Sequence, residues 1–148
     1  MPTLFTRIID GQIPGRFLWA DDLAVAILTI APITDGHALV VPRAEVDRLT
    51  DASDDLLAHL TKVAKAVGAA QQATWDPPRV ALFVAGFEVP HLHLHVLPAW
   101  DEASLTFANA RTDVPPEDLD AAAERLRTAL RDAGHGAHVP PVMSSPAL

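Results

Sequence analysis

Between His91 and Leu97 the chain reads His-Leu-His-Leu-His-Val-Leu. Successive side chains of a strand point to opposite faces, so this alternation sets His91, His93 and His95 on one side and Leu92, Leu94 and Val96 on the other. Same-face neighbours along a strand lie roughly 6.5–7 Å apart, so the three rings form a short row. Imidazole can act as base, acid, nucleophile or metal ligand near neutral pH. The pattern predicts a strand over 91–97 with its aliphatic face in a core and a row of functional rings on the other. A polar strand face that happens to be histidine-rich is the structural alternative.

The other segments supply partners for that strand. Thr3 to Asp10 predicts a short helix ended by Gly11 and Pro14. Phe17 to Asp21 and Ala24 to Thr29 read as two strands around an Asp21-Asp22 turn. His37 to Val41 is apolar and β-branched, hence a buried strand stopped by Pro42. Ser53 caps a helix running to about Gln72, with Leu56, Leu60, Val63, Ala64 and Val67 at helical spacing. Val80 to Val84 is a further strand. Pro116 opens a last helix carrying Leu119, Ala123, Leu126 and Leu130, and Gly134 is its natural stop. About five strands, paired closely without a helix between each, give an α+β domain with a mainly antiparallel sheet, one long central helix and a C-terminal helix. A single domain is expected over 1–134. The Pro-, Gly- and Ser-rich segment 135–148 is expected to be a flexible tail or an arm laid on a partner.

A chain of 148 residues, 49% hydrophobic, can bury a sizeable core. Its formal net charge of -8 argues against nucleic acid or an anionic membrane as a partner. No apolar run reaches the length of a membrane span, and Met1 to Asp10 lacks the basic region and apolar core of a leader, so the expected location is the cytoplasm. With no cysteine in the chain, thiolate catalysis, disulfides and cysteine-held metal are all excluded.

These residues resemble the histidine triad (HIT) superfamily of nucleotidyl hydrolases and transferases. Alongside the triad, Phe5 to Pro14 is similar to the family's N-terminal helix and turn, and Gly36 to Pro42 (GHALVVP) to its Gly-His strand. Gly86-Phe87-Glu88-Val89-Pro90 precedes the triad with the family's spacing, and Pro98 follows it. The likeness covers roughly residues 3 to 100. It implies a HIT-like fold and cleavage at the α-phosphorus of a nucleotide derivative, a phosphoramidate or a dinucleoside polyphosphate. His93 would attack to form a covalent nucleotidyl-histidine, and His95 would handle phosphate. His91 and His37 would brace them, bonded to each other or to backbone. The implied nucleotide-binding positions are Leu4, Phe5, Ile8, Ile27, Thr29, Ile30, Gly86, Glu88 and Val89. The resemblance also implies a homodimer, with the long helix and a sheet edge at the contact, and a small-molecule nucleotide as substrate with no cofactor.

Several positions depart from the family. Thr29 stands where many relatives place an acidic or amide side chain on the ribose, and it can make a single hydrogen bond there. Glu88 stands where a Ser or Thr is usual; it is a solvated surface carboxylate, a general acid or a group that binds an amine on the leaving group. Some relatives hold a structural zinc through two N-terminal cysteines, the Gly-His histidine and the first triad histidine; Thr3 and Thr6 occupy the cysteine positions, so no metal is expected. Arg16, Arg43 and Arg111 are the arginines that could reach a phosphate, and Trp100 could line the pocket or a subunit contact. Two other readings stay open: a nucleotide-binding module with little turnover, and a zinc hydrolase using the histidine row with His37.

Overall fold

The computed structural model describes all 148 residues. Five antiparallel strands form one open sheet in the order β1-β2-β3-β5-β4. They are β1 (Phe17–Ala20), β2 (Ala24–Leu28), β3 (Ala38–Pro42), β4 (Arg79–Val84) and β5 (Leu94–Ala99). The helices are α1 (Leu4–Ile9), α2 (Asp54–Trp75) and α3 (Pro116–Leu130). The α+β architecture expected from the sequence is the observed one. No helix is long and apolar enough to cross a membrane.

Local signals set most boundaries. Ser53 Oγ accepts from the Leu56 N–H at 3.1 Å, and Asp54 and Asp55 occupy the first turn of α2, where the helix dipole favours them. The helix runs to Trp75, a turn beyond the expected end, and stops where Asp76 turns left-handed (φ 49°) before two prolines. Pro116 opens α3 as expected.

The sheet's two faces are covered unequally. Leu18, Ala26, Leu28, Val40, Leu94 and Val96 join α2 and α3 in the main core. The other face carries a smaller cluster, in which Phe17, Val25, Ile27, Leu39 and Val41 meet Phe5 and Ile8 of α1, with Ile9, Ile13 and Val89 packed against it. Strand register strings one cross-sheet row along that second face: Phe17, Ile27, Leu39, His95 and Phe83 pair in turn. α1 covers one end of the row, and at the far end Phe83 is half-buried.

Two expectations are corrected. The triad strand begins at Leu94, not His91, because β3 ends at Pro42, whose carbonyl receives the His91 side chain, while the Leu92 N–H donates to Val46. Alternation nevertheless survives in the burial: Leu92, Leu94 and Val96 lie in the main core, as the spacing requires. The segment from His135 is also not free over its first half. Val139 is buried in the main core, the Pro140 carbonyl accepts from Arg127 Nη2 (2.6 Å), and the Met143 carbonyl accepts from the Phe17 N–H (2.7 Å). The His138 ring stacks on Trp19 at 4.4 Å. Arg127 is itself buried; it also donates from Nη1 to the Phe17 carbonyl (2.6 Å) and from Nε to Glu124 (3.1 Å). A guanidinium in a core needs such a full set of acceptors, and here they pin the tail to β1.

Candidate active site

Four histidines meet where β3 and β5 pair: His37, His91, His93 and His95 are all buried. The hydrogen bonds fix which nitrogen of each carries the proton. His93 Nδ1 lies 2.7 Å from the His91 carbonyl, an obligate acceptor, so Nδ1 donates and the lone pair sits on Nε2. No protein group takes up that Nε2. A neutral imidazole held in this tautomer is a ready nucleophile.

His95 is set by a relay from backbone. The Ile33 N–H donates to His37 Nδ1 at 3.1 Å, so His37 carries its proton on Nε2 and donates it to His95 Nδ1 at 2.9 Å. Neutral His95 must then carry its own proton on Nε2, as a hydrogen-bond donor. Of the two expected ways of holding His91 and His37, to each other or to backbone, the geometry shows the second, and His37 in addition serves His95. His91 donates from Nε2 to the Pro42 carbonyl (2.8 Å) and accepts at Nδ1 from the Thr3 hydroxyl (2.6 Å).

Supports that the sequence did not reveal hold this frame. Gln71 of α2 is buried and donates from Nε2 to the carbonyls of Gly36 and Val96, both at 2.8 Å, tying the start of β3 to β5. Thr34 Oγ1 donates to the Pro98 carbonyl (2.6 Å). Glu45 accepts from the Thr3 N–H (2.9 Å) and the Thr6 hydroxyl (2.6 Å), fastening α1 beside His91. A glycine before a histidine at a strand start hinted at the first contact; nothing local signals the others.

Burial favours the neutral form of His37, His93 and His95. It pushes His37 down to about 3 and His95 to about 4, helped by the neighbouring imidazole in each case, and it lowers His93 below 6.5. Unfolded, the same rings titrate near 6.5. Between that value and about 4 the unfolded chain therefore binds more protons than the folded one, and stability falls as pH falls. The expected loss is about 1.4 kcal/mol per pH unit for each of His37 and His95. Urea unfolding at pH 7, 6 and 5 should show it, with the imidazole NMR signals of His37 and His95 unmoved over the same range. A midpoint that stays constant from pH 7 to 5 would contradict neutral buried rings.

The expected nucleotide-binding residues separate into two groups. Phe5, Ile8 and Ile27 share the smaller cluster, Val89 packs against it, and the Phe5 ring lies 4.8 Å from His93. Leu4 and Ile30 are 43% and 72% exposed, and Glu88 is exposed on the loop before the triad with Gly86 beside it. Thr29 is half-buried, its hydroxyl oxygen accepting from the Ala31 N–H at 3.2 Å. The three arginines are engaged away from the triad. Arg16 pairs with Asp120 and Arg111 with Asp35, while Arg43 donates to the Asp21 carbonyl. Trp100 is half-exposed just beyond β5.

The HIT domain model matches residues 10–102, most of the chain and all four of these histidines. The chain belongs to the histidine triad family. It is 35% identical over 135 residues to an uncharacterized HIT-like protein of Mycobacterium tuberculosis (strain H37Rv), a match spanning 88% of this chain and 94% of that one. It is 30% identical over 136 residues to the adenosine 5'-monophosphoramidase hnt1 of Schizosaccharomyces pombe, spanning 88% of this chain and all of the other. A solved zinc-bound histidine triad family protein from Mycobacterium smegmatis superposes with a TM-score of 0.75 at 26% identity, covering 90% and 96% of the two chains. Zinc does not fit the residues of this HIT protein. Thr3 and Thr6 offer hydroxyls rather than thiolates, both nitrogens of His91 are engaged, and His37 is turned to His95 instead of joining them.

Proposed function

We propose that this HIT protein hydrolyses a nucleotide derivative at its α-phosphorus, through a nucleotidyl group carried on His93 Nε2. The observation that carries the reading is the 2.7 Å contact between His93 Nδ1 and the His91 carbonyl, which leaves a neutral Nε2 with a free lone pair. In the first half-reaction a bond forms from Nε2 to phosphorus as the bond to the leaving group breaks. The leaving atom takes that electron pair together with a proton from water. In the second half the hydroxide so produced attacks phosphorus and returns His93 to its neutral state, so one water is consumed overall. His95 donates from Nε2 to a phosphoryl oxygen, where charge builds in the transition state. It donates without giving the proton up, since its Nδ1 already accepts from His37.

The nucleoside rests on Phe5, Ile8 and Ile27, flanked by Leu4 and Ile30, with Val89 behind. The Thr29 hydroxyl offers the ribose one donor. The S. pombe relative's activity supports adenosine 5'-phosphoramidate as the first substrate to try. A second copy of the chain has a natural edge to add to: β4 is bonded on its β5 side only, and Leu82 on it is exposed.

Rapid quenching with that phosphoramidate, followed by peptide mass spectrometry, should find one added nucleoside monophosphate, on His93. Tight nucleotide binding with neither adduct nor turnover would replace the hydrolase reading with a binding module.

A further inference from the structure

Residues 1–15 are tied to the rest of the chain by hydrogen bonds at one place only, a clasp around Thr3. The Thr3 hydroxyl donates to His91 Nδ1 at 2.6 Å and accepts from the Thr6 N–H at 3.2 Å. Glu45, in the loop after β3, closes the clasp: its Oε1 accepts from the Thr6 hydroxyl at 2.6 Å and from the Thr3 N–H at 2.9 Å. Those two donors, the hydroxyl first, hold the Glu45 carboxyl below the usual carboxylate range, exposed though it is. Bonds to an ionised acceptor are about twice as strong as neutral ones, which suits a tether made at the surface.

One end of the clasp governs the nucleoside platform. α1 has six residues, too few to hold a helix by itself, and its buried side chains are Phe5 and Ile8. The Phe5 ring meets His91 edge-on at 5.6 Å and His93 at 4.8 Å. The other end governs the nucleophile. His91 lies ahead of β5, so no ladder bond orients the carbonyl that sets the His93 tautomer. That carbonyl belongs to the His91-Leu92 peptide, which is held on one side by the Leu92 N–H donating to the Val46 carbonyl at 2.7 Å. On the other side the His91 ring is gripped between the Pro42 carbonyl and Thr3. Glu45 and Val46 are neighbours, so a single loop holds both the platform and the peptide behind the nucleophile.

We infer that Thr3 and Glu45 are positioning residues for the reaction at His93: their clasp locks the Phe5 and Ile8 platform to the His91-Leu92 peptide, and so fixes where a bound nucleotide's phosphorus lies relative to His93 Nε2. The inference rests on the hydrolysis proposed at His93. Neither side chain touches the reacting atoms. Both act through His91, and misplacement by even an ångström at a reacting centre can cost on the order of a hundredfold in rate.

Steady-state kinetics of the full chain on adenosine 5'-phosphoramidate test this in Thr3→Val, Thr3→Ser, Glu45→Ala and Glu45→Gln, with urea midpoints taken alongside. Thr3→Val and Glu45→Ala should each lower kcat by roughly ten- to a hundredfold while KM moves by less than about threefold. Thr3→Ser keeps the hydroxyl and Glu45→Gln keeps the acceptor oxygen, so both should recover most of kcat. The double variant Thr3→Val/Glu45→Ala should be no slower than the worse single one, because both break the same clasp. Nitrogen NMR of labelled imidazoles should show His93 protonated on Nδ1 in the wild type and a mixture of tautomers in Thr3→Val. Glu45 is exposed, so its variants carry the test should Thr3→Val fail to fold. Losses that multiply in the double variant, or changes confined to the urea midpoint or to KM, would overturn the positioning role while the reaction at His93 stood. A wild-type chain with neither turnover nor adduct on His93 would overturn both.

Discussion

Replacing His93 with alanine is expected to lower kcat on adenosine 5'-phosphoramidate by a factor on the order of 10⁴ to 10⁶, the usual cost of removing a covalent nucleophile. Nucleotide affinity should stay within a few-fold, because the base contacts proposed at Phe5, Ile8 and Ile27 do not involve the His93 nitrogens. The fold should survive as well. The variant deletes the bond that the His91 carbonyl accepts from Nδ1, and one such bond is worth about 1 kcal/mol. Loss of turnover with retained binding thus separates chemistry from folding. His93→Gly adds a sharper control: free imidazole entering the vacated space should restore part of the activity, with an adduct no longer found on the protein. Activity that persists in His93→Ala would mean that another group attacks phosphorus.

Gly36→Ala is expected to be among the most destabilising single changes, by about 2–5 kcal/mol, although it adds a single methyl group. Two independent costs combine. Gly36 sits at φ +83°, a left-handed conformation that costs a residue with a Cβ roughly 1–2 kcal/mol. The new Cβ would also come within 2.5 Å of Trp75 Cη2, inside the indole ring's contact distance. Trp75 cannot swing away freely, since Arg125 lies over its ring at 5.1 Å and the residue ends α2. Urea midpoints would measure the loss, and Trp75→Leu in the Gly36→Ala background should return the steric share but not the backbone share. An alanine variant as stable as wild type would show that the turn relaxes without cost. The change should reach activity too, because Gly36 immediately precedes His37, whose Nδ1 takes the Ile33 N–H and thereby sets the proton on His95.

Much of this was legible from the residues alone, for identifiable reasons. Period-two alternation placed Leu92, Leu94 and Val96 in the core, and Ser53 and Pro116 marked helix starts, because those signals act within a few residues. The histidine row and Gly36-His37 together were enough for the family. What could not be read were contacts made by register. Phe83 reaches His95 because β4 and β5 pair antiparallel with those two residues opposite each other, and nothing local fixes that offset. His37 could have met His91 or His95; the choice depends on how β3 lies against β5. The tail misled because Pro and Gly signal the loss of helix and strand equally in a free segment and in a packed one. Its anchor, Arg127, sits in α3 and looks like any charge on a solvated face until Phe17 and Pro140 are seen beside it.

That anchor has a consequence for how copies of the chain can add to one another. An open sheet has two edges, and strand-by-strand growth into a filament needs both. Here the β1 edge is already occupied at Phe17, whose N–H donates to Met143, and the segment doing so is clamped by a buried guanidinium. A sheet extension through β4 would use the edge that the tail leaves bare, while the tail hinders growth from β1 at Phe17. Loosening Arg127 would do more than soften the core: it would uncover a second sticky end and lift that hindrance to growth.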